Sequence, residues 1–186
     1  KSLESLGHIV EPQPVPYEYW PLFKSYTALI AAQTAALFDA MAAPVGRVAT
    51  PDDMANLYWT MAQKGRRMSA IDHSNQIEAV RRQCCAMAVK MDSFDVWLMP
   101  TSPMLPREHG YYDMALDVEA YDESRMGPDC CFVAPFNASG APAISLPMGR
   151  SVEGLPIGVQ LVGRIGDEAG LLNLAGQLER AEMFSV

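Results

Sequence analysis

The sequence predicts an α/β layered fold. Strands alternate with helical stretches along the chain, two apolar runs near the end have the length and composition of buried strands, and one amphipathic helix closes the chain behind them. This ordering argues for one layered unit rather than separate domains.

Gly7 to Val10 reads as a strand entering Pro12, Pro14 and Pro16, a stretch that cannot be helix interior or central strand because proline fixes φ and lacks an N–H. Trp20 to Met41 reads as a helix, with Leu22, Tyr26, Leu29, Ile30 and Leu37 near one face and Pro44 and Gly46 as its stop. Thr50-Pro51-Asp52-Asp53 opens a second helix with a capping hydroxyl, a first-turn proline and two acids at the positive end of the dipole, and that helix ends near Gly65. Ser69 with Asp72 opens a third through about Met91. Its apolar stripe Ile77, Val80, Cys84, Met87 and Met91 predicts a buried face, and His73 is read as a packing imidazole.

Phe94 to Met99 is a buried strand that ends abruptly at Pro100. Arg107 to Met126, rich in Tyr, Asp and Glu, is the one long irregular stretch, either a lid or a solvated loop. Ala143 to Pro147 and Ile157 to Val162 are strands joined by the polar turn Val152 to Gly154. Gly158 and Gln160 mark a strand that meets another backbone closely on one face. Asp167 and Glu168 start the last helix, and Leu171, Leu174, Ala175 and Leu178 form its buried face.

Composition narrows the function classes. The 186 residues are 49% hydrophobic and 19% charged, within the range of globular proteins and enough for a sizeable core. A net charge of −8 argues against nucleic-acid binding, which needs a basic surface to displace counterions. Ala28 to Met41 is interrupted by Gln33, Thr34 and Asp39, so no membrane span is expected. The cysteines form two adjacent pairs, Cys84-Cys85 and Cys130-Cys131, without the spacing of a zinc or redox site, which favours reduced thiols and a cytoplasmic location. No metal site or cofactor motif is expected.

The most specific motif is Pro135 to Gly149, PFNASGAPAISLPMG, followed by EGLPIGVQLVGR and GDEAGLLNLAGQLERAE. In this order the segments resemble the C-terminal signature of the amidase signature family. DVWLMPT, from Asp95 to Thr101, resembles a family strand beside the substrate cleft, and the likeness covers about half the chain, from Phe94 to Glu182 apart from the 107–126 loop. In the first half, Leu6-Gly7-His8 with Val10, and Ser69 to Asp72, resemble family elements more weakly.

The resemblance implies that residues 1–186 are the C-terminal part of the amidase signature fold, a mixed sheet flanked by helices and a portion of a single amidase domain whose catalytic N-terminal half is absent. It implies hydrolysis of carboxylic amides through a serine, a second serine in a cis peptide bond and a lysine, with all three upstream of the His8 segment. No catalytic residue is therefore assigned in this chain. Lys24 and Lys64 have no companion Gly/Ser-rich loop, and the remaining lysines are Lys1 and Lys90. Thr101, Cys130, Asn137, Tyr26 and Ile30 are the candidate substrate-binding residues, and Asn137 is read first as pinning its loop through side-chain hydrogen bonds.

Family members that use glutamine carry an aspartate a few residues before the PxN of the signature. Counting back five positions from Pro135 reaches Cys130, with Asp129 one position off. The chain is instead similar to amidases of aliphatic or aryl amides, linear or cyclic, including the nylon-oligomer cyclic dimer hydrolases. The implied partner is a small-molecule amide, with neither nucleic acid nor membrane, and with homodimerisation of the intact enzyme left open. Two competitors remain beside this reading. One is a self-contained hydrolase using Cys130 or a serine with His8, His73 or His109, and the other is a non-catalytic binding remnant of the same fold.

Overall fold

The structure is a computed structural model, and it describes residues 2–184. It divides into two compact units. The first comprises residues 1–17, 84–105 and 132–186, and the second residues 18–83 and 106–131.

The first unit is built on a three-stranded antiparallel sheet of order β1-β3-β2, with β1 at Trp97–Pro100, β2 at Ala143–Arg150 and β3 at Pro156–Val162. Register sorts the side chains. Leu161 pairs with Leu98 and Ile144, and Val159 with Leu146, on one face. Gln160 pairs with Met99 and Ser145, and Val162 with Trp97 and Ala143, on the other. The first face packs against the last helix, α8 (Glu168–Arg180), through Leu146, Leu161, Leu171, Ala175 and Leu178. Full burial of such a side chain stabilises by about 1.5–3 kcal/mol. The α8 stripe is the predicted one, and Asp167 caps the helix by accepting the Gly170 N–H at 3.1 Å. The opposite face receives the short helix α7 (Ala134–Ser139), whose Phe136 ring meets Trp97 edge-on at 5.7 Å.

The second unit is helical. α2 (Tyr19–Val45) is alanine-rich, and its buried Ala28, Ala31 and Ala35 let α3 (Asn56–Arg66) approach closely. A Cβ on Gly65 of α3 would stand 2.1 Å from the Ala31 carbonyl oxygen, so the two backbones touch there. A second cluster joins Leu57 of α3 to Val118 and Tyr121 of α5 (Val118–Tyr121). The preceding loop is tied to α3 by Leu57 N–H to the Met114 carbonyl at 3.1 Å and by Val118 N–H to Thr60 Oγ1 at 2.9 Å. The long helix α4 is Ala70–Met91.

Several expectations are corrected. Gly7 to Val10 is not a strand. Ser2–Ser5 form a short helix, α1, which Gly7 ends at φ 90° with its N–H on the Glu4 carbonyl, and the chain then runs without a ladder partner. α2 continues past Met41 and carries Pro44 inside its last turn, where the proline forfeits one i→i−4 hydrogen bond and only Val45 follows it in the helix. The stop is Gly46, at φ 79°, whose N–H reaches the Ala42 and Ala43 carbonyls. The Thr50–Asp53 signal does form a capping box, but it closes an isolated 3-10 turn, Pro51–Asp53, and the extended Met54 and Ala55 separate that turn from α3.

On α4, Val80, Met87 and Met91 are buried as expected, whereas Ile77 is 46% exposed and His73 is also exposed. The strand expected from Phe94 begins only at Trp97, opposite Val162 where β3 ends, and Arg164 Nη2 donates to the Phe94 carbonyl at 2.7 Å. The 107–126 stretch is helical in its second half, where α5 runs into a π-helical turn, Asp122–Met126, and then α6 (Gly127–Asp129). α2 is also long and apolar enough to cross a membrane by length and composition, at a mean hydropathy of 1.5 over an 18-residue window, because its alanines offset the polar interruptions.

Candidate functional site

In the first unit, Thr101 follows β1 and donates its N–H to the Gly158 carbonyl at 3.0 Å, extending the ladder by one residue. Its hydroxyl shares a 2.6 Å hydrogen bond with Ser145 of β2. Both hydroxyls occupy the space above Gly158, where a Cβ would lie 2.8 Å from Thr101 Oγ1 and 3.0 Å from Ser145 Oγ. The close approach expected at this strand is therefore made by two side chains at Gly158 and by a backbone group at Gln160. The Gln160 amide, on a residue 5% exposed, donates to the Phe132 carbonyl at 2.7 Å.

That carbonyl lies just ahead of α7, which carries Asn137. Asn137 does not pin a loop. Its side chain is exposed and makes no hydrogen bond among the described residues, and the turn is closed instead by Gly140 N–H on the Phe136 carbonyl at 2.9 Å, with Gly140 at φ 71°. Thr101 and α7 thus stand on one face of one sheet. Sequence reading missed Ser145, although its place opposite Gln160 follows once the strands are paired.

The second unit holds Tyr26, Ile30 and Cys130. Tyr26 and Ile30 lie one turn apart on α2, both half-buried beside its buried face. Cys130 follows α6, with its thiol 3.0 Å from the sulfur of Met126. Burial, then the neighbouring charge of Asp129, pushes the Cys130 thiol above its ordinary pKa, the opposite of what a nucleophilic cysteine needs.

Asp129 is buried and fully engaged. Arg107 donates Nε and Nη2 to its two oxygens at 3.0 and 2.9 Å, and the Tyr112 hydroxyl donates at 2.9 Å. The Arg107 hydrogen bonds hold this carboxyl below its usual range. Burial and the bond to Asp129 push Tyr112 up to about 12. Arg107 and Arg125 each place a guanidinium near the Tyr111 ring, 4.2 and 4.7 Å from its centroid. Sequence reading singled out Asp129 only as misplaced by one position. Its partner lies 22 residues away in the loop, a separation that no spacing rule predicts.

None of the candidate bases pairs with a nucleophile. His8 Nε2 meets Gln177 Oε1 at 2.9 Å, while His73 and His109 are exposed and make no side-chain hydrogen bond among the described residues. Lys24 lies 3.8 Å from Glu123 and Lys64 lies 3.5 Å from Glu119. Lys1 lies outside the described residues. Among the described residues, no cluster of His, Cys, Asp and Glu could hold a metal ion.

The family model described as Amidase matches residues 1–172. The 6-aminohexanoate-cyclic-dimer hydrolase of Paenarthrobacter ureafaciens is 29% identical over 187 residues, covering 97% of this chain and 38% of that protein. A glutamyl-tRNA(Gln) amidotransferase subunit of Rhodospirillum rubrum is 33% identical over 141 residues, covering 76% of this chain and 24% of that protein. A solved 6-aminohexanoate cyclic dimer hydrolase complexed with substrate is similar at a TM-score of 0.86 and 29% identity, covering 97% of this chain and 39% of that one. The chain therefore spans about two-fifths of the length of the cyclic-dimer hydrolases it matches.

Proposed function

The chain belongs to the Amidase family, and on that premise we propose that it forms the C-terminal part of a carboxylic-amide hydrolase, supplying scaffold and part of the substrate pocket. The acyl transfer, first to serine and then to water, is assigned to residues outside 1–186, and the chain alone is inactive. The observation that carries this reading is the match of the Amidase family model to residues 1–172, together with a cyclic-dimer hydrolase of which the chain covers only 38%. Amide hydrolysis needs an activated nucleophile and a proton shuttle, and shape alone supplies neither.

Thr101 and Asn137 of the first unit, and Tyr26, Ile30 and Cys130 of the second, are each proposed as substrate-binding residues. The polar ones can orient an amide, and the apolar and thiol ones can line an aliphatic acyl chain. A neutral linear or cyclic amide fits better than an amino acid amide, because the carboxylate nearest the signature, Asp129, is already neutralised by Arg107. The 29% identity to a cyclic-dimer hydrolase over 97% of the chain supports the same substrate class. With a net charge of −8, an enzyme of small molecules without a nucleic-acid partner or cofactor is proposed, and the cysteine arrangement supports a cytoplasmic setting.

The test is amine or ammonia release from a panel of linear and cyclic amides by the full-length protein. Turnover of neutral amides is expected. Binding without turnover would favour the competing reading, a non-catalytic module on the same fold.

A further inference from the structure

We propose that Gln160 is a positioning residue for the substrate pocket, holding α7 and its exposed Asn137 at a fixed place on the sheet face that also presents Thr101. The inference rests on the reading of Asn137 and Thr101 as pocket residues.

Gln160 sits at the centre of β3 with a strand on either side, and its neighbours on the same face are Met99, Ser145, Gly158 and Val162. A primary amide at a position only 5% exposed costs free energy unless it is hydrogen-bonded, and an apolar side chain would fill the same space without that cost. The amide reaches the Phe132 carbonyl at 2.7 Å, two residues before α7 begins.

α7 has six residues, too few to hold a helix by its own hydrogen bonds, so its place depends on what it is fastened to. Among the described residues, the sheet fastens this segment on that face through Phe136 against Trp97 and through the Phe132 carbonyl on Gln160. An aromatic contact fixes height but permits rotation about itself. The hydrogen bond removes that rotation, and Asn137, adjacent to Phe136, is the side chain whose direction it sets.

Two substitutions in the full-length protein separate this role from simple packing. Gln160→Met keeps the length and loses the donor, and Gln160→Glu regains a donor only when its carboxyl is protonated, which burial favours at higher pH than usual. The expected result for Gln160→Met is a KM raised about tenfold at every pH with kcat within about threefold, the signature of lost substrate positioning rather than lost chemistry. Gln160→Glu should approach the wild-type KM as pH falls and the carboxyl protonates. A KM for Gln160→Met within about twofold of wild type, or a fall in kcat at constant KM, would overturn the proposal.

Hydrogen exchange decides the structural half without reference to activity. Gln160→Met should speed exchange at the Phe136, Asn137 and Gly140 amides while the β2–β3 amides stay protected, and unchanged exchange there overturns it. A wild-type protein that turns over no amide would instead remove the amidase reading, and with it the pocket role, while the exchange result still reports whether Gln160 fastens α7.

Discussion

Gly158 is bare because two hydroxyls occupy the space a side chain would need. A methyl there would stand 2.8 Å from Thr101 Oγ1 and 3.0 Å from Ser145 Oγ, so Gly158→Ala must part the hydroxyl pair. The expected cost is about 1–3 kcal/mol in chemical denaturation, as for other overpacked sites. An unchanged midpoint would show that the pair yields freely.

The Arg107–Asp129 pair makes a prediction in pH. The folded carboxyl is held below its unfolded value, so the pair contributes stability above about pH 4 that is lost as pH falls through the lower folded value. Arg107→Met should therefore destabilise near pH 7 and converge with wild type in acid below both pKa values, as read by urea unfolding across pH. An equal deficit at both ends would mean that Arg107 acts by packing alone. That Thr101 meets Ser145 and that Arg107 clasps Asp129 was not legible in the sequence, because each residue acts through a partner brought close only by the fold.

At the scale of elements, some patterns confined to one element read true, whereas the local Thr50–Asp53 start signal and the patterns that depended on a neighbour did not. The α8 stripe and the Ser69–Asp72 cap, where Ser69 Oγ meets Asp72 at 2.6 Å, depend on local spacing and appear as expected. Gly7 to Val10 carries strand-like residues but has no ladder partner, and no local signal reports whether a partner exists. The same holds for Gly65, which serves as a contact surface as well as part of a helix end. Its Cα faces the Ala31 backbone of α2, and Gly65→Ala would drive a methyl to 2.1 Å from a carbonyl oxygen that cannot rotate away. The loss of stability should reach or exceed the upper end of the roughly 1–3 kcal/mol typical of overpacking, measured as a drop in the thermal midpoint with helicity retained at low temperature. A neutral effect would contradict the close α2–α3 crossing.

At the scale of the whole chain, the first unit carries a sheet with hydroxyls and a fastened short helix on one face, and the second carries an alanine-rich helix and a clasped acidic residue beside a thiol that burial pushes above its ordinary pKa. In neither unit does a described histidine side chain pair with a serine or cysteine. The fold class was legible because strand and helix periods differ and the signature is long. The most direct test of this account compares purified residues 1–186 with the full-length protein for amine or ammonia release from neutral linear and cyclic amides. Turnover by the full-length protein and none by residues 1–186 is the predicted result. Turnover by residues 1–186 that Cys130→Ala or His109→Ala abolishes would contradict it.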